Sequence, residues 1–259
     1  MTRLVRRPVR RVQATVALCA GLAVALSGCA DPDEGTNGVG KLRASAIEQK
    51  ARTAVDGATA VRVTGALVTR GQTYKLDMRL KKDGGAGSVT AHTTTFTLLR
   101  VGDSLFLKGS PDFWDQAAGG ASAAPGASGT AASGASGGEV ADKLGDKYVK
   151  VPADDPAYQQ LRGFTDMRAL LDGLLTLGGE PVKGDRPTLS GVRTIEVKGG
   201  DDAKGGTLDV SLQGTPYPLR LARAGGAGTL TLKDWGEDFP LKAPAENEMV
   251  DYGSTIPRT

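Results

Sequence analysis

Across residues 73–82 apolar and polar side chains alternate without a break: Tyr74, Leu76, Met78 and Leu80 against Lys75, Asp77, Arg79 and Lys81. A period of two sends successive side chains to opposite faces, so this stretch fits a half-buried strand and not a helix. The run before it, 59–69, puts Val61, Val63 and Leu67 on one side, and Gly71-Gln72 marks the turn between the two. Runs at 87–93, 95–101 and 104–108 continue the series, punctuated by Gly84-Gly85 and Gly102-Asp103. Connections this short join antiparallel neighbours. A second series covers 180–186, 191–198, 206–213, 217–223 and 229–235, in which Leu208, Val210 and Leu212 alternate with Asp209, Ser211 and Gln213.

Helical periodicity is confined to a few places. Residues 41–58 carry Leu42, Ile47, Ala51, Ala54, Val55 and Ala58 near one face. That stripe is mostly small, which lets the helix approach a sheet closely. Residues 158–177 form the most apolar helix after the N-terminal run, with Leu161, Phe164, Met167, Leu170, Leu171, Leu174, Leu175 and Leu177. A cap at Asp154 or Asp155 is expected before it, and a break at Gly163 with Asp166 near the new start. Short helices are expected at 111–116, with Phe113 and Trp114, and at 140–144, and a strand at 148–151. Between them, 117–138 is almost wholly Ala, Gly, Ser and Thr. That composition buries too little apolar surface to order itself and reads as a disordered insertion in a surface loop. About ten or eleven strands with helices grouped early and midway make an α+β fold. The length suits one domain.

The N-terminus has a different logic. Arg3, Arg6, Arg7, Arg10 and Arg11 precede an apolar run at 12–26, followed by Leu26, Ser27, Gly28 and Cys29. This is the order of a secretory signal ending in a lipobox. The expectation is a signal peptide over 1–28 and diacylglyceryl and acyl (palmitate-type) lipid on Cys29. A short tether over 29–40 and a folded domain over 41–259 complete the division. Two or more acyl chains anchor firmly where one does not, so the protein belongs on the extracytoplasmic face of the cell membrane. Removing 1–28 removes five arginines and no acids, which leaves 27 basic against 29 acidic side chains. No basic patch interleaved with aromatics remains, and nucleic acid is not an expected partner.

The reactive inventory is sparse. Cys19 leaves with the signal and Cys29 becomes a thioether, so the mature chain has neither disulfide nor thiol. His92 is the only histidine, which excludes a His-rich zinc or copper site by count. Its place beside Ser88 and Thr90 reads as the polar face of a strand. The acid pairs Asp154-Asp155, Asp201-Asp202 and Glu237-Asp238 each stand in a turn near Gly or Pro. There, solvated carboxylates are expected, not the perturbed pair in a cleft that acid–base catalysis needs. Neither an enzyme nor a cofactor is expected.

Several stretches carry a resemblance: 72–80 (QTYKLDMRL), 96–109 (FTLLRVGDSLFLKG), 148–161 (YVKVPADDPAYQQL), 164–175 (FTDMRALLDGLL), 191–199 and 208–221 (LDVSLQGTPYPLRL). Their order behind a lipobox is similar to the LppX/LprG family of actinobacterial lipoproteins, related in fold to the LolA and LolB lipoprotein carriers. The resemblance runs from about Lys41 to Tyr252, and the Ala/Gly/Ser insertion departs from it. It implies a single antiparallel, strongly curved half-barrel sheet wrapped around a few helices, with an apolar cavity for the acyl chains of a lipid or lipoglycan. Gly65, Tyr74, Leu76, Met78, Leu80, Ala91, Phe96 and Leu98 of the early sheet would face Leu170, Leu171 and Leu174 across it. Each methylene exposed to water costs about 0.8 kcal/mol, so a carrier needs a dry pocket and a tether and no catalytic group. The expected protein is a monomer that binds and carries lipid across the envelope, with a membrane transporter as a further partner. The alternative is a LolA-like protein-interaction or envelope-stress regulatory module without lipid cargo.

Overall fold

The computed structural model describes residues 32–69, 71–91, 94–110, 112–114, 144 and 147–251. Leu26, Ser27, Gly28, Cys29, His92 and the insertion at 117–138 lie outside the described residues. The chain divides into two units, 1–34 and 35–259. In the second, part of the stretch expected as tether is fastened to the fold. The Asn37 amide donates to the carbonyls of Ser211 and Gly214, and its backbone N–H to that of Leu212.

The fold is α+β: a large, curved, open and mostly antiparallel sheet of thirteen strands, with helices packed on it. The first meander is β1 (Ala60–Thr69), β2 (Gln72–Lys81), β3 (Gly84–Ala91), β4 (Thr94–Val101) and β5 (Ser104–Gly109), extended by β6 (Tyr148–Val151). The second is β7 (Pro181–Lys183), β8 (Thr188–Leu189), β9 (Val192–Gly199), β10 (Thr207–Ser211), β11 (Pro218–Ala222) and β12 (Gly228–Lys233), and β13 (Met249–Val250) ends the series. The order is β13-β6-β5-β4-β3-β2-β1-β12-β11-β10-β9-β7, with β8 also on β9. The two meanders meet where β1 pairs with β12. At that seam Gly65 has φ 138° and Gly228 φ 116°, values that L side chains rarely adopt. A Cβ on Gly65 would run into the carbonyl oxygen of Thr229, and one on Gly228 into that of Ala66.

Three helices are described in full: α1 (Ala44–Gly57), α2 (Pro156–Thr165) and α3 (Met167–Leu174). Helix α1 buries Ala44, Ile47, Ala51 and Val55, a stripe at spacings of three and four. Asp155 caps α2 by accepting from the N–H of Ala157, and Asp166 caps α3 by accepting from that of Ala169. The helix break therefore falls at Asp166, where a capping side chain waits, and not at Gly163. Among the described residues no helix is long and apolar enough to cross a membrane. Both helical regions share one hydrophobic cluster with Val61, Val63, Leu76, Met78 and Leu80. The face of the sheet carrying these side chains is the inner face.

Two differences from the sequence expectation have physical causes. The strand count is thirteen because the 180–186 run shrinks to β7 and is followed by a separate two-residue strand, β8, and because β13 joins β6 in parallel. Gly84 and Gly85, expected as a turn, lie inside β3, and the turn is at Lys82-Asp83. A Cβ on Gly84 would meet the Arg100 carbonyl and Leu241, and one on Gly85 would meet Leu80 and the Thr165 carbonyl. These glycines answer crowding on both faces of the sheet.

After β12 the chain becomes a strap along the outer face. Phe239 is buried, with the Arg79 guanidinium 4.7 Å and the Lys81 ammonium 4.9 Å from its ring centre. Asp238 pairs with Lys81. Leu241 reaches Gly84 on β3, and β13 then docks on β6. On β4 and β5, between these two docking points in the sheet order, Leu99 and Phe106 point outward and are nonetheless buried.

Candidate functional site

The inner face of β1–β5 has two unlike ends. At the end near Lys81, Leu80 and Leu98 are fully buried and Arg100 continues their row inward, 4% exposed. Its guanidinium donates to the Thr165 hydroxyl (3.2 Å), the Thr165 carbonyl (3.0 Å) and the Gly102 carbonyl (2.7 Å). A cation on the last carbonyl of a helix is placed well for the helix dipole. Arg100 therefore bolts the C-terminus of α2 to β4.

At the other end, by the β1–β2 hairpin, the cover runs out. Along β1 the inward series goes from buried Val61 and Val63 to exposed Gly65 and half-buried Leu67. Along β2 it goes from buried Leu80, Met78 and Leu76 to half-buried Tyr74. On β4 and β5 the same end is roofed by aromatic rings. Phe96 and Phe113 lie 5.4 Å apart, and Phe113 meets Trp114 edge-on at 5.0 Å. Gly109, opposite Phe96 in the ladder, gives the rings their seat. A Cβ there would strike the Phe113 ring and lie 2.9 Å from Trp114 Nε1. Trp114 Nε1 and Thr94 Oγ1 are buried at this end, with no hydrogen-bond partner among the described residues. Such groups are rare in native proteins and cost about 1–3 kcal/mol each.

The residues expected to line a cavity fall on both ends. Leu76, Met78, Leu80, Phe96, Leu98, Leu171 and Leu174 join the buried cluster, with Tyr74 and Leu170 packed at its margin. Ala91 is buried opposite Tyr74, and Gly65 is exposed. The deep part of the set is close-packed side chain. A separate pocket of about 270 Å³ lies where α1 ends and α3 begins, lined by Val55, Asp56, Lys82, Asp166, Met167, Arg168, Leu171 and Asp172. It shares only Leu171 with the expected set. Arg100, Thr94 and Trp114 did not stand out by residue type, although Arg100 and Thr94 share the inward parity of Phe96 and Leu98.

The acid pairs are occupied locally. Asp155 is a buried helix cap and Asp238 an exposed ion-pair partner, while Asp154, Asp201, Asp202 and Glu237 are exposed. Asp209 is the carboxylate whose surroundings disturb it upward. Burial raises its pKa, and two hydrogen bonds from Arg220 offset this only in part. Arg220 is itself held more firmly charged by Asp209. This pair stands on the opposite parity from Leu208 and Val210, away from the inner face. Across the sheet Arg62 clasps Asp77 in the same two-pronged way, in a more solvated place, and holds its carboxyl below the ordinary value.

No protein-family model matches the chain, and no curated protein does. A solved structure, an uncharacterized conserved protein from Thermus thermophilus, is 9% identical over 80% of this chain and 98% of that one, with a TM-score of 0.36. A likeness at that level carries no argument.

Proposed function

We propose that this chain is a lipid-anchored extracytoplasmic carrier of the LppX/LprG type, holding the acyl chains of a lipid or lipoglycan between a half-barrel sheet and its helices. It acts without catalysis. The observation that carries this reading is the loss of cover along the inner face. Val63 to Gly65 and Leu76 to Tyr74 are continuous apolar rows that begin in the core and end where solvent reaches them. An acyl chain laid along such rows extends an existing apolar surface and breaks no hydrogen bond. The lipobox at Leu26 to Cys29 supplies the tether, and the resemblance of segments 72–80 and 96–109 supplies the family.

The test is native mass spectrometry of the full-length Cys29→Ala protein, which lacks the anchor, beside the same protein carrying Ala91→Trp. Ala91 is the small inward residue at the hairpin end. Gly65→Trp, the other substitution the sequence suggests, is unsuitable because any Cβ there collides with the Thr229 backbone. The expected result is bound diacyl lipid on the first protein and its loss from the second, with melting temperatures within a few degrees. Bare protein in the first case, with unfolding in the second, would identify the space as core and end the carrier reading.

A further inference from the structure

The geometry points to a hydrogen-bonding seat for the ester carbonyls of the bound lipid, formed by Trp114 Nε1 and Thr94 Oγ1; it rests on the carrier reading above. Trp114 is 5% and Thr94 4% exposed, and neither polar atom has a partner among the described residues. Both stand at the hairpin end of the inner face. Thr94 is inward by its parity with Phe96. Trp114 Nε1 is placed over the inner side of β5, because it lies 2.9 Å from where a Gly109 Cβ would project. An indole N–H can only donate, so its partner is an acceptor, whereas a hydroxyl can do either. The surroundings are Phe96, Phe113, Ala91 and Tyr74, with no charged side chain on the inner face at this end among the described residues. Burying an anion there is costly, which disfavours a phosphate and favours a neutral acceptor joined to hydrocarbon. The ester carbonyl of an acylglycerol has that chemistry. It sits where acyl chain gives way to polar head, and these two buried atoms lie at the same end of the inner face as the rows that lose their cover at Gly65 and Tyr74.

The experiment compares uptake from vesicles of dioleoyl phosphatidylglycerol with uptake from vesicles of its diether analogue, which has the same chains and head but no carbonyl. The proteins are full-length Cys29→Ala, alone and with Thr94→Val, which keeps shape and removes the polar atom, or with Trp114→Phe, which removes the N–H together with part of the indole. The expected result is a preference for the ester lipid of about tenfold, the size two modest hydrogen bonds give. Each substitution should shrink it while the diether lipid still binds. Lipid-free Thr94→Val should melt at the same temperature or higher, since an unsatisfied buried group has been removed, whereas Trp114→Phe should melt a few degrees lower because the smaller ring leaves a void. Equal uptake of ester and ether lipid by the unsubstituted protein, or variants that keep the preference, would overturn the seat and leave the carrier standing. A marked fall in melting temperature on Thr94→Val would show a partner inside the protein and also overturn it. No uptake of either lipid would overturn both.

Discussion

The two ends of the inner face are made from the same strands and behave as opposites. At one end a buried guanidinium spends three N–H groups on the end of α2 and the β4–β5 turn. At the other, aromatic rings rest on a glycine, and an N–H and a hydroxyl are buried with no partner among the described residues. Apolar character does not distinguish them, since Leu80 and Tyr74 belong to one row. What differs is polar satisfaction among the described residues: the first end is completed by its own chain, and the second leaves two buried polar atoms unpaired. Under the carrier reading proposed above, the first end would be the closed one and the second the one that takes lipid in.

The contrast can be broken most directly at Arg100. Arg100→Ala removes the bolt, strands the Thr165 and Gly102 carbonyls and leaves a void. A loss of about 3 kcal/mol or more is expected in urea denaturation. Gly109→Ala should cost about 1–3 kcal/mol, because a methyl group there overpacks the seat of Phe113 and Trp114. Leu67→Ala, at the uncovered end, should cost about 1 kcal/mol or less, since little transfer energy is lost from a half-buried site. A cost for Leu67→Ala equal to that for Arg100→Ala would mean the hairpin end is packed as tightly as the bolted one, and the comparison would fail.

Much of the sheet was readable because strands write their register locally. The alternation at 74–80 gives β2 and its inner face directly, and Asp155 and Asp166 announce the starts of α2 and α3. The unreadable parts are those decided by remote contact. Gly84 and Gly85 look like a turn because a sequence does not show the Arg100 carbonyl on one side and Thr165 on the other. β13 has two residues, too few for a period, and only its parallel seat on β6 makes it a strand. Arg100 was legible in part: two places after Leu98 it holds the inward parity, but its charge argued for the surface. The site was less legible than the fold. Alternation marks which side chains turn inward, and cannot distinguish rows that meet close-packed core from rows that lose their cover, as those leading to Gly65 and Tyr74 do.

The seam between β1 and β12 also sets an order of events. Every pairing within β1–β5 is between strands adjacent in sequence, so the first meander can assemble from local contacts as soon as its residues are available. β1 then waits with one unpaired edge until β12, more than 150 residues later, arrives to cover it. An unpaired edge of ten residues is a template for wrong partners. Gly65 interrupts that edge with a positive φ that L side chains rarely adopt, and two places along, opposite Leu67, β12 supplies a second such glycine, Gly228. A strand with a Cβ at that place would meet the Ala66 carbonyl, so until β12 comes the edge is poorly shaped for most others.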